Sequence, residues 1–304
     1  MTVTPALQPQ RLAQPSRPLL VQIGLLARRL GKLHRSDTLA VWGGLFLALI
    51  IFGAVFAPIL TPYSPTKPDI KARFQLPSLA HPFGTDDFGR DLLARVLYGG
   101  RPILFTGAAS VIVATLLGLL IGTASGYLGG RVDNLLMRLM DVMLSFPAVL
   151  LAILIVAALG VGLTNAIIAI VFSLIPVMAR LVRSVVISLN REQYVLAARS
   201  LGAGDWQIVT RHLLPNMLPL VIVQATTLLA IAIGISSALN FLGLGVEPPT
   251  PDWGLMVSDA QRLIFDAFHV VFFPGLAITL TVVSVNYVGD ALRDHLDPAL
   301  RNRL

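Results

Sequence analysis

The chain has 304 residues, 55% of them hydrophobic and 13% charged, with a net charge of +7 and no cysteine. Soluble domains carry about a quarter charged residues, so the composition excludes an ordinary soluble domain and indicates a polytopic α-helical membrane protein. The lack of cysteine excludes a disulfide framework and thiolate metal sites. The positive balance is read as contact with anionic lipid headgroups rather than nucleic acid.

In chain order, residues 1–19 are rich in Pro, Gln and Ser and are expected to be disordered. Residues 20–35 carry Arg28, Arg29, Lys32 and Arg35 and suit a basic amphipathic helix on the membrane surface. The first apolar run, 38–60, is long enough to span, and no small-x-small cleavage site follows it, so it is expected to be retained. Further spans are expected at 102–127, 138–160, 165–187, 216–240 and 269–290, giving six transmembrane helices. Pro147, Pro176, Pro215, Pro219 and Pro274 lie in or beside them as candidate kinks. The domain reading is a cytoplasmic tail (1–37), a first helix with external loop (38–101), a five-helix core (102–291) containing a cytoplasmic loop at 188–215, and a C-terminal tail (292–304).

With both termini inside, 16 Lys/Arg fall on the cytoplasmic side and 7 outside, which follows the positive-inside rule. In the second span Ser110, Ala114, Gly118, Gly122, Gly126 and Gly130 recur every four residues, placing small residues on one helix face. Such a stripe lets helix backbones approach closely, either inside this subunit or against a second one. No acidic or basic residue lies deep in a span as drawn. Asp141, Arg180, Arg183 and Asp290 fall near inner ends and His269 near an outer one, which argues against coupling to a proton gradient. The only Gly-Lys pair, Gly31-Lys32, is followed by Leu33 and lacks the glycine-rich phosphate loop. Energy for any transport is therefore expected from a partner.

The loop 188–215 reads as two short helices around a glycine turn. Residues 191–201 form the first, Gly202 ends it, and Asp205 is placed to cap a second that carries Trp206, Ile208, Val209 and Leu213. Ala198 and Gly202 lie four apart and leave a compact knob, and Pro215 is expected to break the second helix at the membrane edge. Ala197-Ala198, Gly202 and Leu214-Pro215 are spaced like the loop by which permeases of bacterial ABC importers grip their ATPase. That motif usually opens with Glu; here Leu196 stands in its place, so one carboxylate contact is missing. HPFGTDDFGRDLLARVLYGGR (81–101), RVDNLLMRLMDVMLSFPAVLLAI (131–153), NFLGLGVEPPTPDWGLMVSDA (240–260) and the segment 273–301 are similar, in order, to the second permease subunit of dipeptide, oligopeptide, glutathione and nickel ABC importers.

This resemblance, over residues 38–301, implies the type I importer permease fold in a bacterial inner membrane. It implies a non-catalytic subunit that forms half of a pathway for peptides or related small solutes. The implied partners are a homologous second permease, two ABC ATPase subunits that bind the ATP and Mg, an external solute-binding protein and membrane lipids. This chain would hold no cofactor or metal. Leu196, Ala197, Ala198, Gly202, Asp205, Leu214 and Pro215 would form the ATPase-coupling loop.

Two loops keep alternatives open. Asp86 and Asp91 suit capping and pairing with Arg90 and Arg95, or docking of a binding protein. Trp253, in the proline-rich stretch GVEPPTPDWG, suits a headgroup-level anchor, and the rigid stretch also suits docking. Gln224, Thr227, Ser237, Asn240, Ser284 and Asn286 are candidate translocation-path residues, with plain interhelical hydrogen bonding as the alternative reading.

Overall fold

The computed structural model describes residues 35–296. The expected disordered stretch 1–19, nearly all of the expected surface helix at 20–35, and residues 297–304 lie outside the described residues. The elements are α1 (Arg35–Leu60), a 3-10 turn (Ile70–Ala72), α2 (Leu92–Leu128), α3 (Gly130–Leu144), α4 (Ala148–Leu159), α5 (Leu163–Leu189), α6 (Gln193–Ser200), α7 (Asp205–Phe241), α8 (Trp253–Ala260) and α9 (Phe268–Leu296). Apart from an isolated bridge between Thr85 and Asp91, the described residues contain no β-structure.

Five helices, α1, α2, α5, α7 and α9, are long and apolar enough to cross a membrane. The sixth expected span is broken. α3 and α4 meet at a 92° bend around Ser145-Phe146-Pro147, where Pro147 has no N–H to continue the helix and biases Phe146 away from helical geometry. The Ser145 hydroxyl turns back to the Val142 carbonyl at 2.6 Å. α4 has 12 residues and rises about 18 Å, short of the roughly 30 Å hydrocarbon core. The apolar run at 138–160 is therefore two differently directed pieces rather than one straight helix. α2 is longer than expected because Asp91 caps it at Leu92, its carboxylate accepting from Ala94 N–H at 2.7 Å. The last helix continues to Leu296, into the stretch read as tail.

α5 is the central helix. Its most apolar window is 61% buried, against 17% for α1 at the periphery. Ile170, Leu174, Met178, Val182 and Val186 of α5 share one core with Leu228, Ile235 and Leu239 of α7. A second core joins Ile103, Ile233, Trp253 and Val270.

The small-residue stripe of α2 lies against α5. A Cβ added at Gly118 would sit 2.6 Å from the Met178 side chain. At Gly122 it would sit 2.5 Å from the Ala179 carbonyl oxygen and 2.6 Å from Val182, and at Gly126 2.8 Å from the Arg183 carbonyl oxygen. Ala114 is fully buried in the same core. The matching four-residue steps on both helices make a parallel seam closed by backbone approach.

Prolines inside helices leave carbonyls without their usual donors. Pro58 cannot serve the Ala54 carbonyl, and Arg101 of α2 reaches across to do so, Nε to O at 2.6 Å, with Nη2 on Val55 O at 3.1 Å. The pair of bonds ties α1 to the bundle.

Substitution in the seam separates packing from tolerance. Gly122→Leu is expected to cost about 1–3 kcal/mol or to prevent folding, because the overpacked atoms are backbone and a β-branched side chain. Gly234→Leu, with nothing within 4 Å of its added Cβ, is expected to leave the melting temperature unchanged. Thermal unfolding of both variants in mild detergent checks this.

Candidate functional site

The loop between α5 and α7 projects from one end of the bundle. α6 closes on Gly202 in the left-handed region (φ 88°). Gly202 N–H donates to Arg199 O at 2.9 Å and Ala203 N–H to Ala198 O at 3.0 Å, the paired bonds of a glycine-terminated helix. Nothing in this chain lies within 4 Å of a Cβ added at Gly202. Backbone conformation, not internal space, is what demands glycine here. Leu201 is 89% exposed and Trp206 80%, with Leu196 and Tyr194 about half so. These apolar side chains sit in a segment outside the long apolar helix runs, and form a knob around the turn. Ala197 is exposed and Ala198 half-buried.

Two expectations for this loop are corrected. Asp205 does not cap the following helix. Gly204 holds the cap position and Asp205 is the first helical residue, because its carboxylate is taken by the Tyr127 hydroxyl at 2.6 Å. Nor does Pro215 break the helix. The backbone widens into a π-helical turn at Val209–Leu213, with Leu214 N–H donating to Val209 O, which makes room for the proline ring before α7 continues. Asn216 Nδ2 donates to His212 O at 2.6 Å and serves a carbonyl in the disturbed stretch. Leu214 is half-buried and Pro215 exposed.

Next to the knob, polar side chains tie three helices together. Asp133 of α3 accepts both Arg183 Nε (2.5 Å) and Nη2 (2.6 Å) from α5, and also the Ser125 hydroxyl of α2. One turn away Arg180 pairs with Asp141. Asp133, Ser125 and Tyr127 were not singled out from sequence. Their sequence signal is weak, since each is a lone polar residue near a span end.

The other end is built from residues 61–91 and α8. Asp86 pairs with Arg90 (2.6 Å) and Arg95 (3.4 Å). Asp91 pairs with His81 at 2.9 Å, not with an arginine. Asp87, half-buried, and Asp259, on the exposed rim, sit beside the same arginines, and partial desolvation holds both carboxyls above the usual range, with Asp86 adding repulsion. Trp253 is buried, not a headgroup anchor. Its ring covers Gly99 and Gly100, and Nε1 donates to Val96 O at 2.7 Å.

The six candidate path residues separate. Ser237, Asn240 and Ser284 are buried within the chain and present no surface to a path. Asn240 instead holds the turn after α7, its Oδ1 accepting Val246 N–H at 2.7 Å, and the Ser237 hydroxyl returns to Ile233 O. Thr227 and Asn286 are exposed and Gln224 half-buried. Leu220, Gln224, Thr227, Ile231 and Gly234 recur at steps of four and three along α7, a face that no other helix of the described chain fully covers.

Residues 100–302 match the family described as binding-protein-dependent transport system inner membrane component, and residues 34–80 match the N-terminal TM domain of oligopeptide transport permease C. The chain belongs to this permease family. It is 45% identical over 268 residues to a dipeptide transport system permease protein of Alkalihalophilus pseudofirmus, covering 88% of each chain. It is 44% identical to a di/tripeptide transport system permease protein of Pseudomonas aeruginosa, covering 86% of this chain and 89% of that one. A glutathione transport system permease protein of Pectobacterium atrosepticum is 42% identical, over 86% and 88% of the two chains. An inward-facing MetNI methionine ABC transporter structure shares the fold at TM-score 0.53 and 21% identity, over 66% of this chain and 94% of that one.

One residue of the permease stands out at the α8 end. Asp252 is fully buried; Oδ1 accepts from Gly254 N–H at 2.8 Å and Leu255 N–H at 3.4 Å, while Oδ2 has no partner. Burial pushes its carboxyl up to about 7, against the two backbone donors that lower it. The folded state thus favours the protonated acid. That contribution to stability is fully present below the unfolded carboxylate pKa near 4 and is lost as pH rises through about 7. The melting temperature of the permease is expected to fall between about pH 4 and about pH 7, the window bracketed by the two pKa values, and to do so less in Asp252→Asn, which keeps the cap acceptor without a titrating proton. Thermal scans across this range in detergent check it.

Proposed function

We propose that this permease forms half of the translocation pathway of an ATP-driven importer of dipeptides or oligopeptides, and that the 188–215 loop is the part an ATPase subunit grips. The observation that carries the coupling role is the exposed knob. Leu196, Leu201 and Trp206 surround a left-handed glycine turn on a short helical hairpin. A cleft on a soluble partner is what such a patch suits, since an uncovered apolar cluster away from lipid marks an interaction site. Ala197, Ala198, Asp205, Leu214 and Pro215 shape and seat the knob, and Leu196 in place of Glu makes the contact more apolar.

The peptide reading rests on the names of the relatives and on the path. Gln224, Thr227 and Asn286 are uncharged and surface-placed, so specificity would lie with an external binding protein. Glutathione, itself a peptide, is the second reading, favoured by the glutathione permease at 42% identity. Nickel chelates are the alternative from sequence resemblance. The proposed assembly is this chain, a homologous permease, two ATPase subunits holding ATP and Mg, and the binding protein. The Lys/Arg bias supports an orientation in the bacterial inner membrane with both termini and the knob in the cytoplasm, and with residues 61–91 and α8 outside, toward the binding protein.

Gly202→Arg tests the knob. A side chain in the left-handed region costs about 1–2 kcal/mol, and the bulk would meet the ATPase cleft. In proteoliposomes containing the purified assembly, dipeptide uptake is expected to fall by about tenfold or more while ATP hydrolysis persists or the ATPases dissociate. Normal uptake with normal ATPase retention would remove the coupling role from this loop.

A further inference from the structure

Val195 and Ile208 anchor the knob in the main apolar core, and one side chain of α2 bridges the two sides of its turn. Tyr127, one residue before the end of α2, donates its hydroxyl to Asp205 Oδ1 at 2.6 Å on the α7 side of the turn. On the α6 side, the Arg199 guanidinium lies 5.5 Å from the centre of the same ring, within cation–π range. Arg199 also donates to Asn190 Oδ1 at 2.8 Å, just beyond the end of α5. The two helices flanking Gly202 therefore close on Tyr127 from both sides. Two residues earlier on α2, the Ser125 hydroxyl joins Asp133, which also holds Arg183 of α5. Further along, Gly126, Gly122 and Gly118 place α2 against α5 without intervening side chains.

We infer that Tyr127 is the positioning residue that makes α2 and the α2–α5 seam move with the knob. The inference rests on the coupling role proposed for the loop and adds the route inward from it. The physical reason is stiffness at a joint. Gly202 and the turn 201–204 form a flexible connection, so a push on α6 alone would be absorbed there. Clamping the two sides of the turn to a single aromatic ring removes that slack. The hydroxyl–carboxylate bond is charge-assisted and directional but lies at the surface, so it fixes geometry more than it adds stability, and the ring contact with Arg199 is independent of it. Close-packed glycine seams do not deform smoothly, so displacement at Tyr127 is passed along α2 as a body.

The test uses the purified assembly and the absence of native cysteine in this chain. Spin labels at Leu120→Cys on α2 and Gln193→Cys at the start of α6, both exposed in this chain and neither in the apolar patch proposed to meet the ATPase, report the joint by distance measurement. Labels at Leu120→Cys and Val177→Cys report the seam. Tyr127→Phe is expected to broaden the α2–knob distribution and leave the α2–α5 distribution narrow. In proteoliposomes the same variant is expected to hydrolyse about five times more ATP per alanyl-alanine taken up, with an unchanged melting temperature. An α2–knob distribution as narrow as wild type overturns the inference, whatever the transport result. If Gly202→Arg uncouples while Tyr127→Phe keeps the wild-type ratio, the latch fails and the coupling loop stands. If Gly202→Arg transports normally, the loop reading fails on its own account. Should Tyr127→Phe not assemble, Arg199→Gln loosens the same joint from the α6 side, and a narrow α2–knob distribution in that variant overturns the inference equally.

Discussion

The rest of the structure depends on how closely α2 and α5 approach. Lipid supplies no hydrophobic force between apolar helices, so their association rests on contact and on groups that pair across it. Gly118, Gly122 and Gly126 remove the side chains that would hold the backbones apart, and the Ala179 and Arg183 carbonyls come to lie where a Cβ would stand. With that seam closed, α5 becomes the best-buried span and α7 packs against it through Leu228, Ile235 and Leu239. α3 is then fastened to the end of the seam by Asp133–Arg183 and Asp141–Arg180. Charged residues here do not drive the fold by themselves, since exposed pairs contribute little; they choose where a bent, amphipathic helix comes to rest.

A second constraint is the need to give every backbone group in the bilayer a partner. The permease carries prolines inside α1, α2, α5, α7 and α9, and the two best-resolved remedies differ. Arg101 crosses to the carbonyls of α1, whereas near Pro215 the helix itself widens into a π turn and Asn216 serves His212. Asn165 does similar work at the α4–α5 corner, donating to Leu159 O and Gly160 O. Polar side chains in spans thus have structural employment before any is assigned to a path. Asn240 shows the point: its amide is consumed by the turn at 241–246.

The two ends of the bundle have different chemistry, and the difference fits different partners. At the α8 end Asp86, Arg90 and Arg95 form a largely buried ionic cluster, and Trp253 and Asp252 are sealed inside. That end holds its charges in buried pairs, although Ile70, Leu76, Leu79 and Phe265 around it are exposed. At the opposite end the knob leaves Leu201 and Trp206 uncovered and keeps its own fold through helix termination and the Tyr127 contacts. A stiff element with an unsatisfied apolar surface is suited to being moved by a partner, and the seam provides a body for it to move.

Much of this was legible in the amino-acid sequence. Long apolar runs require membrane helices, because no other open structure satisfies the backbone in lipid; the Gly-rich face followed from a four-residue spacing, and the family from ordered motifs between residues 38 and 301. Gly202 as a helix terminator was readable because the demand for positive φ is local. What sequence could not decide were the outcomes of competition between local preference and distant contact. Asp205 looks like a cap until Tyr127, 78 positions earlier, takes its carboxylate. Trp253 looks like an interfacial anchor until Gly99 and Gly100 open a slot for it. The run at 138–160 looks like one span because hydropathy has no direction, whereas the tertiary structure turns it at Pro147. Composition and periodicity thus determined that this chain crosses a membrane as a bundle of helices, and the ordered motifs carried the resemblance to a permease. Only the packed structure decided which face meets which, because those choices depend on side chains brought together from far apart in the chain.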